Sequence, residues 1–268
     1  MLDLDPYLRR IDYSGPLDAT LATLRALHLS HVRAIPFENL DTLLGLPVAI
    51  DLESLQRKLV QARRGGYCFE HNVLFKSVLE AVGLRSTALA ARVVWERPAD
   101  ELRARTHMVL LVEIGTALHL ADVGFGGLTP TAPLTLQTGI EQATPHETFR
   151  VVREGPEFAV EARVRDQWKR LYRFDLQAQQ PVDIDALNHY VVSHADSPMM
   201  GRLIAARVAS DRRFGLLNGV LREHRVDGTS EERRVGGVAE LREVLRAIFG
   251  IEAPTGAASD AALASMLE

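Results

Sequence analysis

A single cysteine, Cys68, occurs among the 268 residues, so the chain cannot form an internal disulfide bond. No apolar run approaches the roughly 18 residues that a membrane span needs. The first residues, Met1 to Pro6, carry two aspartates and lack the apolar core of a signal peptide. These absences favour a reducing compartment, and we expect a cytoplasmic protein with no membrane partner.

Charge and short motifs exclude further classes. The net charge of −4 gives no support for a nucleic-acid partner. The sequence has no GxxxxGK(S/T) phosphate loop and no Cys/His pair at zinc spacing, so we expect no metal. With 47% hydrophobic and 25% charged residues, the composition is that of an ordinary soluble enzyme, long enough for one to three domains.

The setting of Cys68 is the most informative feature that is present. Two glycines, Gly65 and Gly66, precede it, and a helical pattern begins just after it. Unpaired N–H groups and the dipole at a helix N-terminus favour a thiolate over a thiol. A lone cysteine is also often an inert buried hydrophobe, so this setting predicts a reactive thiol without proving one.

A base and an orienting carboxylate lie downstream. Thr106–Val112 reads as a strand with His107 near its beginning, and Leu118–Val123 reads as a strand with Asp122 near its end. A glycine-containing turn would pair the two strands as a hairpin and bring His107 near Asp122. The three residues would then form a nucleophile, a base and an aspartate that fixes the imidazole tautomer.

Each of these residues also has an ordinary explanation. A histidine on an apolar strand is commonly a satisfied core residue, and an aspartate before a glycine is commonly a turn former. Residue physics alone therefore indicates a thiol enzyme and nothing sharper.

The chain pattern divides into three parts. The first is helical from Asp5 to about Gly83, with Gly83 as a C-cap. Its leucines recur every three or four residues, from Leu17 through Leu21 and Leu24 to Leu27 and again from Leu52 through Leu55 to Leu59. The second carries short β-rich runs from Leu84 to roughly Asp175, typical of an antiparallel sheet or barrel. The runs are Thr87–Trp95, Thr106–Ile114, Leu118–Val123, Thr148–Val152, Phe158–Arg163 and Lys169–Phe174.

The third part mixes both types of element. It has a helix from Pro181 to about His194, strands at Leu203–Ala209 and Gly215–Arg225, and a helix over Val238–Phe249. The Ala/Ser-rich tail after Gly250 is expected to be poorly ordered. The resulting domains are residues 1–83, 84–182 and 183–268.

Several segments together resemble the arylamine N-acetyltransferase family in its bacterial form, and their joint order around Cys68, His107 and Asp122 is specific. The resemblance covers most of the chain, and the residues that carry it are Tyr7–Ile11, Ile35–Leu40, Arg64–Glu70, Ala91–Val94, Thr106–Met108, Asp122–Gly126 and Asn188–Val191. It implies an α+β fold with an N-terminal helical bundle, a central antiparallel β-barrel and a C-terminal α/β lid, around a Cys-His-Asp core like that of cysteine proteases.

The resemblance also implies the chemistry. Family members take an acetyl group from acetyl-CoA, hold it as a cysteine thioester and pass it to the nitrogen of an arylamine, arylhydrazine or N-hydroxyarylamine. By match, Cys68 is the nucleophile, His107 the base and Asp122 the orienting carboxylate. Two half-reactions that share one cysteine predict ping-pong kinetics. We expect CoA and a small arylamine or hydrazine as partners, in a monomer or homodimer.

Further positions match the family's binding residues. Phe37, Phe69 and Phe125 correspond to positions that line its acceptor pocket, where aromatic rings favour flat aryl substrates. Met199 stands near the place where the family tends to carry an aromatic residue, so acceptor preference is expected to differ. The CoA contacts are expected at Thr106, Gly124 and Gly126, and Glu38 and Arg64 are expected to form a structural ion pair.

Two alternatives remain open at this point. One is an amide synthase of a polyketide pathway, which moves a larger acyl chain with the same triad. The other is a thiol hydrolase or a transglutaminase-like enzyme.

Overall fold

The computed structural model describes residues 1–98 and 101–267. Residues 99 and 100 of the second predicted domain and residue 268 of the third lie outside the described part. The protein has the expected α+β class, with helices around a nearly closed antiparallel barrel and a second sheet. The division into three domains stays a prediction.

The N-terminal segment is helical, as its leucine spacing predicted. Its helices are α1 (Leu4–Arg10), α2 (Leu21–Ala34), α3 (Leu40–Leu43), α4 (Leu52–Leu55) with a π-helical continuation (Gln56–Gln61), and α5 (Cys68–Ala81). Helix α2 begins where the Thr20 hydroxyl accepts the Thr23 N–H. Leu17 lies before this helix and is 42% exposed, so the predicted leucine repeat was wrong at its first member. Gly83 ends α5 with φ +81°, which confirms the predicted cap.

Eight antiparallel strands form the barrel sheet. In chain order they are β2 (Arg85–Val93), β3 (His107–Ile114), β4 (Ala117–Ala121), β5 (Leu134–Thr135), β6 (Glu141–Ala143), β7 (Thr148–Glu154), β8 (Glu157–Val164) and β9 (Gln167–Ala178). Their order in the sheet is β5-β4-β3-β2-β9-β8-β7-β6. The two edge strands meet through Gln142, whose Nε2 donates to the Thr135 carbonyl (3.0 Å) and whose Oε1 accepts the Thr135 N–H (2.7 Å).

The second sheet is antiparallel with the order β1-β10-β11-β12-β13. The first segment supplies β1 (Phe37–Glu38), which pairs with β10 (Ile204–Val208) so that Phe37 lies opposite Ala206. The other strands are β11 (Arg212–Leu217), β12 (Val220–Arg225) and β13 (Ser230–Arg234). The prediction of one strand over Gly215–Arg225 was wrong, because Asn218 adopts φ +52° and turns the chain back at Asn218-Gly219.

The remaining helices are α6 (Pro181–Ser193), α7 (Val238–Val244) with a π-helical continuation (Leu245–Phe249), and α8 (Ala257–Ala264). Helix α8 contradicts the expectation of a poorly ordered tail, since Leu263 is fully buried against the second sheet's core. Alanine-rich sequence favours a helix once such an anchor exists. Among the described residues, no helix combines the length and apolar character that a membrane crossing needs.

Candidate active site

The two glycines before Cys68 allow a close approach of two chain segments. A Cβ at Gly65 would lie 2.1 Å from the Pro36 carbonyl oxygen, and a Cβ at Gly66 would lie 2.6 Å from a Glu70 oxygen. Without side chains there, Gly66 exchanges hydrogen bonds with the segment at Pro36–Glu38. This pairing delivers the chain to the start of α5.

Helix α5 begins at the cysteine itself. Tyr67 has an extended backbone (φ −108°, ψ −171°), and its N–H donates to Glu70 Oε2 at 3.0 Å. Cys68 is therefore the first helical residue, where backbone N–H groups have no partner within the helix. Its side chain is 4% exposed, and its Sγ lies 3.5 Å from the Thr106 carbonyl oxygen on the barrel.

The predicted hairpin of β3 and β4 is confirmed. The strands pair from Leu110 opposite Ala121 to Ile114 opposite Ala117, with Gly115 at φ +60° in the turn. His107 begins β3 and Asp122 follows β4, so both lie at the same end of the hairpin. Their side chains meet with 2.7 Å between Nε2 and Oδ2.

The three predicted residues are brought together. Cys68 Sγ lies 3.5 Å from the carbonyl oxygen of Thr106, the residue before His107, so the sulfur stands beside the start of β3. Because Nε2 faces Asp122, Nδ1 is the nitrogen left for the sulfur. Burial opposes a charge on His107, but the Asp122 carboxylate, its hydrogen bond and Cys68 together raise the pKa of His107 to about 10.

Asp122 is correspondingly held as an anion. Burial by itself would raise its pKa, but His107 and hydrogen bonds from Gly124 and Asn72 lower it below 3.8 overall. A protonated imidazole beside a sulfur at a helix N-terminus stabilises the thiolate form. The arrangement can therefore present a nucleophile and a proton carrier to an acyl group.

Asn72 is a site residue that the sequence analysis missed. Its Nδ2 donates to the Met108 carbonyl (2.9 Å) and to Asp122 Oδ1 (3.3 Å), and its Oδ1 accepts the Val123 N–H (3.2 Å). It stands four residues after Cys68, on the same face of α5. That spacing was the available signal, and through these bonds Asn72 fixes the cysteine helix to the hairpin.

Comparison with known proteins places this site in a family. A protein-family model described as N-acetyltransferase matches residues 20–257. The arylamine N-acetyltransferase of Mycobacterium bovis is 43% identical over 254 residues, covering 93% of this chain and 89% of that protein. The chain belongs to the arylamine N-acetyltransferase family.

Other relatives agree. The arylamine N-acetyltransferase of Escherichia coli is 40% identical over 249 residues, covering 92% of this chain and 88% of that protein. The structure of the Mycobacterium marinum arylamine N-acetyltransferase superposes with a TM-score of 0.96 at 41% identity, covering 99% of this chain and 100% of that one. The same enzyme in complex with CoA gives a TM-score of 0.95. As a member of this family, the protein is an acyltransferase.

Two of the positions expected to line the acceptor pocket, Phe125 and Phe37, lie against His107 and in a nearby cleft, respectively. Phe125 is partly buried and stands edge-on to His107, with 5.4 Å between ring centroids. Phe37 is 7% exposed and lines a narrow cleft between the two sheets. The cleft also includes Val123, Gly126, Thr129, Ala206 and Arg207. Acceptor binding by Phe37 and Phe125 stays a prediction.

Phe69 and Met199, the other two residues expected to bind the acceptor, pack in or against the helical core. Phe69 is fully buried and packs edge-on against Tyr67 in the helical core. Met199 is partly buried, packs against the same core, and its carbonyl accepts a hydrogen bond from Asn39 (2.9 Å). Acceptor binding by either residue stays a prediction.

The residues expected to contact CoA have structural partners of their own. A Cβ at Gly124 would lie 2.9 Å from Cys68 Cα, so this glycine permits the hairpin end to approach α5. Gly126 has φ +96°, and its N–H donates to Thr129 Oγ1 at 2.7 Å. The Thr106 carbonyl faces Cys68 Sγ. CoA contacts at all three positions stay predictions.

A network of five buried or half-buried charges braces the start of α5. The predicted ion pair of Glu38 and Arg64 is present at 2.7 Å, and Arg64 also contacts Asp41 at 2.9 Å. Lys58 lies 2.6 Å from both Asp41 and Glu70. Since Glu70 also holds the Tyr67 N–H, the network fixes the helix end that carries the cysteine. Within residues 1–98 and 101–267, no group of three or more His, Cys, Asp or Glu side chains is arranged to hold a metal ion.

Proposed function

We propose that this protein transfers an acetyl group from acetyl-CoA, through a thioester on Cys68, to the nitrogen of an arylamine, arylhydrazine or N-hydroxyarylamine. The observation that carries the proposal is the position of Cys68 at the N-terminus of α5, beside the strand on which His107 pairs with Asp122. Family membership supports the donor and the acceptor class. A related enzyme of Salmonella typhimurium is named as an arylamine N-acetyltransferase and N-hydroxyarylamine O-acetyltransferase, and the M. marinum structure contains CoA.

In the first half-reaction, the Cys68 proton already resides on His107 Nδ1, and the Sγ thiolate attacks the thioester carbonyl of acetyl-CoA. The bond from the acetyl carbon to the CoA sulfur then breaks. The departing CoA thiolate receives the proton from His107. One thioester replaces another, so the step needs little driving force beyond a nucleophilic sulfur.

In the second half-reaction, the amine nitrogen attacks the acetyl-Cys68 carbonyl with its lone pair. His107 Nδ1 takes the proton that this nitrogen loses, and the bond from the acetyl carbon to Sγ breaks. The sulfur leaves as a thiolate and again faces a protonated imidazole. Asp122 Oδ2 accepts the hydrogen bond from His107 Nε2–H throughout, so Nδ1 does the proton transfer in both directions.

Steady-state kinetics test the sequence of steps. With acetyl-CoA and aniline as substrates, the proposal predicts parallel lines in double-reciprocal plots, because CoA leaves before the amine attacks. Cys68→Ala should reduce the formation of acetanilide, the N-acetylated product of aniline, to background while keeping the thermal midpoint of the wild type. Intersecting lines, or full activity of Cys68→Ala, would contradict the thioester mechanism. Release of acetate from acetyl-CoA at an unchanged rate with or without amine would instead indicate a thiol hydrolase.

A further inference from the structure

Three buried side chains outside the triad form a continuous hydrogen-bonded chain. The Tyr7 hydroxyl lies 2.8 Å from His31 Nδ1, and His31 Nε2 lies 2.8 Å from His71 Nδ1. His71 Nε2 lies 3.1 Å from the Pro36 carbonyl oxygen. Each of the three side chains is at most 1% exposed. These hydrogen bonds therefore link helices α1, α2 and α5 to the segment that precedes β1.

The Pro36 carbonyl determines which nitrogen carries the hydrogen in each imidazole of this hydrogen-bonded series. A carbonyl oxygen only accepts, so His71 Nε2 must carry a hydrogen. Neutral His71 then accepts at Nδ1, which requires a hydrogen on His31 Nε2. His31 Nδ1 in turn accepts, so the Tyr7 hydroxyl donates. Both imidazoles are thus held as the Nε2–H tautomer.

Burial keeps this arrangement uncharged. It lowers the pKa of His31 well below 6.5 and lowers the pKa of His71 to about 4. Burial likewise raises the pKa of Tyr7 well above 10, so the phenol keeps its proton. All three groups are neutral at pH 7, and the hydrogen bonds run in one direction from Tyr7 to Pro36.

The hydrogen-bonded series ends at Pro36, beside the cleft that Phe37 lines. Pro36 precedes Phe37, and the Phe37 ring stacks on the His71 ring with an interplanar angle of 7° and 6.4 Å between centroids. The Phe37 ring also lies close to Gly126, since a Cβ added to that glycine would be 3.6 Å from the ring. His71 therefore holds both the backbone before Phe37 and the face of its ring, three residues after Cys68 on the same helix.

We propose that Tyr7, His31 and His71 are positioning residues that set Phe37 for the aromatic acceptor in the second half-reaction. This inference rests on the proposed function. The hydrogen bonds end on the Pro36 carbonyl rather than on a group of the triad. They therefore position the Phe37 ring and transfer no proton to the reacting atoms. Acylation of Cys68 by acetyl-CoA does not depend on it, whereas recognition of an aryl ring does.

The variant Tyr7→Phe tests the inference from the far end of the chain. Removing this hydroxyl leaves the buried His31 Nδ1 without a donor, while the Pro36 carbonyl still holds both imidazoles as the Nε2–H tautomer. We expect KM for aniline to rise about fivefold, the effect of one hydrogen bond, with the single-turnover rate of Cys68 acetylation within about twofold of the wild type. Tyr13→Phe is the matched control, since its hydroxyl donates locally to the Pro16 carbonyl.

Two further variants separate hydrogen bonding from packing. His31→Gln keeps an acceptor for Tyr7 and a donor for His71, so KM for aniline should stay near the wild-type value. His31→Leu fills similar space without either group, so KM should rise as in Tyr7→Phe. Equal KM values for the Gln and Leu variants would overturn the inference.

Nitrogen-15 NMR gives a readout that a purely structural role would not move. Both His31 and His71 should show the shifts of neutral Nε2–H imidazoles in the wild type, and in Tyr7→Phe the His31 Nδ1 shift should move because this nitrogen loses its hydrogen-bond donor. A different tautomer in the wild type, or a lowered thermal midpoint with unchanged KM for aniline in Tyr7→Phe, overturns the inference. Failure of wild-type Cys68 to take an acetyl group would instead refute the proposed function, which distinguishes the two.

Discussion

The division of labour between the two nitrogens of His107 follows from a single distance. Nε2 is committed to Asp122 at 2.7 Å, so only Nδ1 can exchange a proton with the sulfur or with a substrate. Asp122 is itself fixed, because its Oδ1 accepts from Asn72 and from Gly124. An imidazole with its orientation set in this way needs no rearrangement when the proton moves, which is the advantage of a preorganised site.

Replacing Asp122 with Asn should remove the charge that keeps His107 protonated. Without that charge, burial dominates and the imidazole becomes neutral near pH 7, so the thiolate loses its counterion. We expect alkylation of Cys68 by iodoacetamide at pH 7 to slow at least tenfold. An alkylation rate for Asp122→Asn equal to that of the wild type would show that Asp122 does not act through the imidazole.

The same pair predicts how stability varies with pH. The raised pKa of His107 gives a stabilisation that is complete below 6.5 and is lost as the pH rises through about 10. The lowered pKa of Asp122 gives a stabilisation that is complete above 3.8 and is lost as the pH falls through its folded-state pKa. The difference in Tm between wild type and Asp122→Asn should therefore be largest between about pH 4 and 6.5 and should shrink towards pH 10. A Tm difference independent of pH would contradict this coupling.

Among the elements, the contact between the end of the β3–β4 hairpin and α5 decides whether the triad forms. Gly124 permits this contact, since any Cβ there would lie 2.9 Å from Cys68 Cα and 3.0 Å from His71 Cβ. Neither neighbour is the free end of a flexible side chain, so the helix and the hairpin would have to move apart.

Gly124→Ala should therefore destabilise the fold by about 2 kcal/mol, the usual cost of overpacking, and should lower the rate of Cys68 acetylation. Gly127→Ala is a matched control in the same loop, because a Cβ there meets no atom within 4 Å. Chemical denaturation and single-turnover acetylation measure the two effects. Equal stability of the two variants would mean that the loop and helix are not in tight contact.

Local signals predicted some elements and not others. The β3–β4 hairpin was predictable because a glycine-containing turn joins two short apolar runs, and the end of α5 was predictable from Gly83. The turn at Asn218-Gly219 carried an equally local signal that was overlooked within a strand-like run. Helix α8 was not predictable from its composition alone, because its order depends on burial of Leu263 against a distant sheet.

The site shows the same limit. The triad could be placed by a hairpin and a helix start, with family resemblance to select it. The contacts of Asn72 and the chain through Tyr7, His31 and His71 join segments 24 to 51 residues apart. The side-chain amide of Gln142 bonds the backbone N–H and carbonyl of Thr135, as a neighbouring strand would, and so joins the two edges of the barrel sheet. Nothing in the local sequence specifies these partners.

At the scale of the whole molecule, the helical segment, the barrel and the second sheet are joined by polar contacts around the cleft. Arg213 on β11 donates to Glu147 of the barrel (2.8 Å), and His146 Nε2 lies 2.9 Å from the Ala209 carbonyl. In the helical segment, Lys58 on the π-helical continuation of α4 contacts Asp41 of α3 and Glu70 of α5, and Arg64 also contacts Asp41. The first contacts join the barrel to the second sheet, and the second set braces the helix of the nucleophile. Asn72 joins that helix to the hairpin that carries the rest of the triad.

Lys58→Met should be costly because it leaves Asp41 and the fully buried Glu70 without their shared cation. We expect a loss of about 3 kcal/mol in the free energy of unfolding, as for other broken buried ion pairs. Lys76→Met removes an exposed i,i+4 pair with Glu80 and should cost less than about 0.5 kcal/mol. Urea denaturation compares the two. Similar losses would show that the network around Glu70 contributes no more than a surface pair.

The central claim is that Cys68 carries the acetyl group between donor and acceptor. Intact-mass spectrometry of the protein mixed with acetyl-CoA, before any amine is added, tests it most directly. The account predicts a gain of one acetyl group, located on Cys68 by peptide mapping, absent from Cys68→Ala and removed on addition of aniline. No gain in mass, a gain retained by Cys68→Ala, or an acetyl group that aniline does not remove would contradict it.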